Sequence, residues 1–197
     1  MKKNFFIIIF LIFAFTQKSF GYSSDPKQFI TEIVNEAKKI LIDTNTKEFK
    51  EAKLSEIALE TVDIKGVAYY SLGNYRKQLT DEQLKEYLTL FENYFLKSFT
   101  SRLTDYSDPK IEVISTEVIN AKYTIVKSIL LATDKKPEVK IEWRIYTKNP
   151  DKPLIRDLII EGLSLARTQK EEFSSVIETN KGDISKLFTT LKEFSEK

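Results

Sequence analysis

Residues 80–106 have the sequence TDEQLKEYLTLFENYFLKSFTSRLTDY, which predicts one long helix. Thr80 and Gln83 form a capping box, in which each side chain accepts a hydrogen bond from a free backbone N–H group of the first turn. The helix would contain about 25 residues and be about 37 Å long. Its apolar side chains recur every three or four residues: Leu84, Tyr87, Leu88, Phe91, Tyr94, Phe95, Phe99 and Leu103. This face is broad and aromatic, so it fits either a central helix that covers a sheet or one wall of a ligand cavity.

Shorter helices flank this one on both sides. Asp25 predicts the cap of the first of three helices before it, because an aspartate side chain can cap a helix N-terminus. The second helix is predicted to begin at Thr46 and the third at about Asp63. Gly73 predicts the end of the third helix in a left-handed C-cap. Helical spacing returns after residue 164, and Asp183 predicts the cap of a last helix.

Residues 110–163 change to the pattern of β-strands. Short apolar runs or two-residue alternation occur at 111–113, 123–131, 139–145 and 154–163, with turn residues between them. Within the third segment, apolar side chains alternate with charged ones, so one face of the sheet is expected to be buried and the other to face solvent. Four strands with short connections predict an antiparallel meander. The fold class that follows is α+β, with a curved antiparallel sheet of about four strands covered by helices.

The first 21 residues have the pattern of an export signal. Lysines at positions 2 and 3 precede an unbroken run of 11 apolar residues, and residues 19–21 supply small side chains at the positions that a signal peptidase recognises. A membrane span needs about 20 apolar residues, so an uncleaved anchor is the less favoured alternative. No cysteine follows that could carry a lipid. We expect cleavage near Gly21 and Tyr22, one mature domain at 22–197, and a periplasmic location.

The remaining chain carries almost no net charge. Residues 1–21 hold three of the 31 lysines and arginines and none of the 29 aspartates and glutamates, which leaves residues 22–197 with a net charge of −1. That balance gives no basic surface for nucleic acid. The chain contains no histidine and no cysteine, which excludes imidazole and thiol nucleophiles, zinc sites built from these residues, and disulfides. We therefore predict no catalytic residue, no metal site and no cofactor.

Two blocks of the sequence resemble one known family. The first block is DIKGVAYYSLGNYR at 63–76, and the second is DLIIEGLSL at 157–165. Single residues that accompany these blocks are Thr80, Gln83, Tyr87, Phe91, Tyr106 and Phe173. Their order and spacing resemble the MlaC family of periplasmic phospholipid-binding proteins, also called toluene-tolerance proteins. The departures from the family pattern are Leu163 in place of Val, Phe99 in place of Tyr and Lys170 in place of Arg.

The resemblance implies a fold similar to the nuclear-transport-factor-2-like cone and a function in the Mla lipid-transport pathway. A carrier of this kind moves glycerophospholipid between the outer and inner membranes and maintains the lipid asymmetry of the outer membrane. The implied partners are a phospholipid as cargo, the outer-membrane MlaA–porin complex and the inner-membrane MlaFEDB ABC transporter. We expect the carrier itself to be a monomer.

Apolar positions on the helices and strands could together form a cavity for acyl chains. A two-chain lipid has about 30 methylenes, and exposing each to water costs about 0.8 kcal/mol, so a carrier must offer a dry cavity. We expect the aromatic helix to face Trp143 and its strand neighbours across this cavity. The candidate lining residues are Val67, Tyr70, Phe91, Phe95, Ile125, Ile129, Ile141, Trp143, Ile145 and Ile160.

Two other classes of function remain open at this point. Asp157 and Glu161 could form the acid–base pair of a cone-fold enzyme, although a structural hydrogen bond or salt bridge is the more ordinary role for each carboxylate. A protein-binding scaffold without catalytic activity is the other alternative, and it would have a filled core in place of a cavity.

Overall fold

The computed structural model describes residues 21–134 and 136–196. The predicted export signal lies outside the described residues, apart from Gly21. The helices are α1 (Pro26–Ile42), α2 (Lys47–Thr61), α3 (Ile64–Leu72), α4 (Asp81–Leu103), α5 (Leu165–Thr179) and α6 (Ser185–Glu196). The strands are β1 (Ile111–Asn120), β2 (Tyr123–Leu130), β3 (Val139–Tyr146), β4 (Leu154–Ile160) and β5 (Leu163–Ser164). Across this part of the chain, no helix is both long and apolar enough to cross a membrane.

The helix starts agree with the predicted ones, and a side chain caps each of them. The side chains of Asp25, Thr46 and Asp63 each accept a hydrogen bond from a backbone N–H group of the first turn that follows. The capping box of α4 is complete, because the Thr80 hydroxyl accepts from the Gln83 N–H at 3.2 Å and the Gln83 side chain accepts from the Thr80 N–H at 2.9 Å. The predicted long helix is therefore confirmed, with 23 residues.

Gly73 ends α3 as predicted, with a backbone that differs from a left-handed cap. Its φ of 57° is positive, but its ψ of −130° lies outside the left-handed helical region. Its N–H group donates to the carbonyls of Tyr69 and Tyr70, and a 3-10 helix (Gly73–Gln78) follows directly. A residue with a side chain would be strained at this φ.

The sheet is an antiparallel meander in the order β1-β2-β3-β4-β5. The α+β fold class is confirmed, with one more strand than the sequence predicted. The additional strand, β5, is only two residues long and follows a turn in which Glu161 and Gly162 both have positive φ, at 49° and 82°. Positive φ at both central residues is typical of the tightest β-hairpin turns, so the fourth predicted strand segment folds back on itself.

The strand register defines two faces of the sheet. Trp143 is paired with Val126 on one side and Leu158 on the other, so these three side chains share one face, called here the inner face. The alternation predicted for β3 is confirmed, since Lys140 and Arg144 lie on the opposite, outer face. Helix α1 lies against β1 and β2, and α5 lies against β4.

Buried apolar residues form two separate clusters. The sheet core joins α1 and α2 to the inner face and consists of Phe29, Ile30, Ile33, Val34, Ile57, Val126, Ile145 and Ile155. The helical core joins α3, α4, α5 and α6 and consists of Ile64, Val67, Ala68, Leu72, Tyr87, Phe91, Ala166, Phe173, Ile177, Leu187 and Leu191. The buried members of the helical core come only from helices, so this part of the described fold is held together without the sheet.

An ion pair ties the helical core to the sheet. The Asp63 carboxylate accepts from Arg156 Nε on β4 at 2.7 Å, and it also caps α3 by accepting from the Gly66 N–H at 2.9 Å. The Arg156 guanidinium lies 3.6 Å from the centre of the Tyr146 ring and donates to the Tyr123 hydroxyl. One carboxylate thus caps a helix and fixes that helix to the sheet.

We expect Asp63→Ala to lower the free energy of unfolding by about 2–3 kcal/mol, since it removes a helix cap and leaves the Arg156 charge without its partner. Urea denaturation measures this loss. Asp25→Ala is the matched control, because Asp25 caps α1 at an exposed site and makes no ion pair, and it should cost only about 1 kcal/mol. Equal losses in the two variants would show that the Arg156 pair adds nothing.

Candidate functional site

Several apolar side chains belong to neither core. We call them, together with Trp143 at the margin of the sheet core, the inter-core surface, and each is half-buried: Phe99, Leu103, Leu130, Ile141, Trp143, Leu158 and Ile160. The five strand members all lie on the inner face. Exposed apolar side chains that share one face of a sheet mark a binding surface more often than isolated ones do.

The segment between α4 and β1 contacts the connection between β2 and β3. The Lys136 ammonium, in the connection between β2 and β3, lies 4.5 Å from the centre of the Tyr106 ring, just beyond α4. The Leu131 N–H donates to the Lys110 carbonyl at 2.8 Å. These contacts place the segment that follows α4 beside the strand ends that carry Leu130 and Ile141.

Three stacked phenylalanines run along α4 from the helical core toward this end. Phe91 and Phe95 have ring centres 6.2 Å apart, and Phe95 and Phe99 have ring centres 5.7 Å apart, with nearly parallel planes in both pairs. Phe91 is 1 % exposed, whereas Phe95 and Phe99 are half-buried. The aromatic face of α4 is therefore core at its centre and open toward its C-terminal end.

Trp143 is the polar member of an otherwise apolar group on the inner face. Its indole N–H donates to the Ser128 hydroxyl at 2.9 Å. Ser128 is buried, and its own hydroxyl lies 3.4 Å from the Ile141 carbonyl. Because the indole nitrogen is satisfied inside the protein, the ring can lie against apolar material without a desolvation cost.

The structure brings only some of the predicted cavity residues together. Ile141, Trp143 and Ile160 lie together on the inner face, and Phe95 lies on α4 between the core and its open end. Val67 and Phe91 are buried in the helical core, and Ile145 is buried in the sheet core. The aromatic face of α4 does not meet Trp143 at Phe91, because α4 packs against α2, α3 and α6, and the Phe91 ring contacts Phe173 of α5.

Three predicted residues lie away from the inner face. Ile125 is paired with Arg144 and Ile129 with Lys140, so both isoleucines point to the outer face among charged neighbours. Tyr70 is 47 % exposed in a groove between α3 and α5, with the Lys170 ammonium 5.5 Å from its ring centre. These three are not brought together with Trp143.

Sequence reasoning missed part of the inter-core surface. Phe99 and Leu103 continue the helical spacing of the aromatic face, so their position near the end of α4 was the signal that could have selected them. Leu130 and Leu158 share the face of Trp143 through register alone. That register depends on which residues pair across strands, and a single strand does not reveal it.

The two carboxylates considered as an acid–base pair have structural roles. Asp157 is buried and accepts from the Ser164 hydroxyl at 2.6 Å, the Ala166 N–H at 3.0 Å and Arg144 Nη1 at 3.4 Å. Its carboxylate therefore holds the start of α5 against β4. Glu161 accepts from the Lys140 N–H and stabilises its own turn. Each carboxylate thus makes hydrogen bonds that support the fold.

Buried polar groups in the helical core are likewise structural. The Tyr87 hydroxyl donates to the Ala68 carbonyl at 3.0 Å, and burial raises the pKa of Tyr87, so the phenol stays protonated. No cluster of acidic residues able to hold a metal ion occurs in residues 21–134 and 136–196. The inter-core surface can therefore bind a ligand through apolar contacts.

Comparisons with known proteins agree with this geometry. A family model described as MlaC protein matches residues 27–193. Among solved structures, the chain is similar to a phospholipid-binding protein from Ralstonia solanacearum that was solved in complex with a phospholipid. The TM-score is 0.73 at 18 % sequence identity, and the match covers 88 % of this chain and 97 % of that chain. No curated protein sequence matched the chain.

Proposed function

The chain belongs to the MlaC family, and from that premise we propose that it is a soluble periplasmic carrier that binds glycerophospholipid through its acyl chains. It takes lipid at one membrane and releases it at the other, which maintains the lipid asymmetry of the outer membrane. The observation that carries the proposal is the inter-core surface, a set of half-buried apolar side chains on the inner face of the sheet and on the last turns of α4.

Acyl chains are the ligand that this surface fits best. The surface is apolar, and the hydrogen-bonding group of its central ring, Trp143, is already paired with Ser128. Each methylene that leaves water gains about 0.8 kcal/mol, so covering even part of two acyl chains supplies enough affinity for a carrier. The phospholipid bound by the Ralstonia solanacearum protein, which has the same fold, supports this choice of ligand.

The family also supports the rest of the proposal. Residues 1–21 form the export signal and are removed near Gly21 and Tyr22. The carrier then exchanges lipid with the outer-membrane MlaA–porin complex and the inner-membrane MlaFEDB transporter, as a monomer. The structural hydrogen bonds of Asp157 and Glu161 support a carrier without catalysis.

Trp143 provides the test, because it is the single tryptophan of the chain and lies within the inter-core surface. We expect delipidated protein mixed with a phospholipid brominated on its acyl chains to lose most of its tryptophan fluorescence, since bromine quenches only on contact. The same lipid with a quencher on its head group should quench far less. If mass spectrometry confirmed loading and neither lipid quenched, the acyl chains would lie elsewhere and the proposed site would be wrong.

A further inference from the structure

A groove of about 470 Å³ lies between α3 and α5, away from the inter-core surface. Tyr70 lines one side, and one face of α5 lines the other with Arg167, Lys170, Glu171 and Glu178, together with serine and threonine hydroxyls. No aliphatic side chain lines it. An acyl chain would gain nothing there, so the ligand that fits this groove is small, polar and charged.

Lys170 is held in position on the groove wall. Its Cε lies 3.1 Å from the point where a side chain on residue 73 would begin, so Gly73 leaves the room that the lysine stem occupies. Its ammonium lies 5.5 Å from the centre of the Tyr70 ring, a favourable cation–π geometry. The end of α3 therefore fixes where this positive charge is presented.

The charged side chains of the groove do not form ion pairs with one another. Among the described residues, Arg167, Lys170 and Glu171 make no ion pair, although Arg167 and Glu171 have the (i, i+4) spacing that favours one. Glu178 accepts only a long bond from the Tyr75 hydroxyl, at 3.4 Å. Two cations and two carboxylates thus face one concave volume with most of their hydrogen-bonding capacity free.

The charges are also separated along the helix. Arg167 and Lys170 lie in the first two turns of α5, whose first turn has no acidic residue, whereas Glu171 lies in the second turn and Glu178 in the last. The helix dipole favours anions at the start of a helix and cations at its end. The cations at the start of α5 and the carboxylate in its last turn therefore add to the dipole and do not compensate it. A bound anion at Arg167 and Lys170 would correct this imbalance at the start of α5.

We propose that this groove binds a phosphate diester that carries an ammonium group. The phosphate contacts Arg167 and Lys170, and the ammonium lies between Glu171 and Glu178. This chemistry occurs in the ethanolamine head group of a bilayer phospholipid and in soluble glycerophosphoethanolamine. The site is separate from the inter-core surface and does not depend on acyl-chain binding there.

Titration of the full mature protein with soluble glycerophosphoethanolamine, followed by NMR chemical shifts, tests the proposal. Saturable shifts at residues of the groove are expected. Lys170→Met keeps the stem that packs on Gly73 and removes the charge, so affinity should fall about tenfold, which is the effect of losing one charge-assisted hydrogen bond. Lys65→Met is the matched control, because Lys65 lies over the Tyr69 ring outside the groove; its affinity should stay unchanged.

Further measurements distinguish a soluble ligand from a bilayer head group, and the groove from the inter-core surface. Glycerol phosphate, which lacks the ammonium, should bind several-fold more weakly, because Glu171 and Glu178 then remain unpaired. Phosphatidylethanolamine vesicles that bind wild-type protein and not Lys170→Met would identify a bilayer head group as the source. The proposal is overturned if neither soluble compound nor vesicle binds, or if Lys170→Met binds as tightly as wild type. Ile141→Trp should leave the shifts caused by the two soluble compounds unchanged, so a failure of acyl-chain binding remains distinguishable.

Discussion

Phe91→Ala is expected to lower the free energy of unfolding by about 3–5 kcal/mol, the usual cost of removing a fully buried phenylalanine ring. Phe91 is 1 % exposed. Its ring centre lies 5.9 Å from that of Tyr87, 6.0 Å from that of Phe173 and 6.2 Å from that of Phe95. For a domain of this size the change corresponds to a fall in melting temperature of about 10 °C or more, measurable by calorimetry.

Phe99→Ala is the matched comparison two turns along the same helix. Phe99 is half-buried and lies outside both cores, so its loss should cost about 1 kcal/mol. We expect this variant to bind phospholipid more weakly, since Phe99 belongs to the inter-core surface. The division of the α4 aromatic face into core and binding parts would be wrong if the two variants lost equal stability or if only Phe91→Ala lost lipid.

Local sequence signals predicted the elements of this fold well. Asp25, Thr46, Asp63 and Thr80 each cap the helix that follows, because capping depends only on a side chain and the nearest backbone groups. The alternation along β3 likewise placed Ile141 and Trp143 on one face and Lys140 on the other. Such patterns depend on neighbours within a few residues, which the sequence gives directly.

The neighbours of the aromatic helix were not predictable in the same way. The spacing of Tyr87, Phe91 and Phe95 shows which side of α4 is apolar, but it does not say which element covers that side. In the structure α5 and α6 supply the partners, through Phe173 and Phe188. These helices follow in sequence more than 60 residues later, beyond the reach of any local pattern.

The face assignment of β2 failed for a different physical reason. Ile125 and Ile129 were expected to point inward because they are apolar, yet the inward residues are Thr124, Val126 and Ser128. Ser128 is tolerated at a buried position because its hydroxyl accepts the Trp143 N–H. A buried hydroxyl with a partner across the sheet makes an inward strand face look polar in the sequence.

The second large effect is expected for Ile141→Trp, which should weaken phospholipid binding about a hundredfold. Ile141 is half-buried on the inner face, between Ser128 and Ile160. An indole there has open space on its exposed side and displaces three or four acyl methylenes, at about 0.8 kcal/mol each. The melting temperature of the delipidated protein should stay close to that of wild type. Acyl-chain quenching of Trp143 in wild type, and lipid content by mass spectrometry in both, provide the measurement.

Two further tryptophan substitutions on the same sheet test whether the loss of lipid binding depends on the inner face. The alternative is that any large side chain on the sheet weakens binding. Ile129→Trp places the indole on the outer face opposite Lys140, so lipid binding should be unchanged. Ile145→Trp places it at a fully buried position of the sheet core, where overpacking costs about 1–3 kcal/mol and lowers stability instead. If Ile129→Trp and Ile141→Trp weakened lipid binding equally, the acyl chains would not be bound by the inner face. The apolar residues there would then be only the uncovered edge of the sheet core.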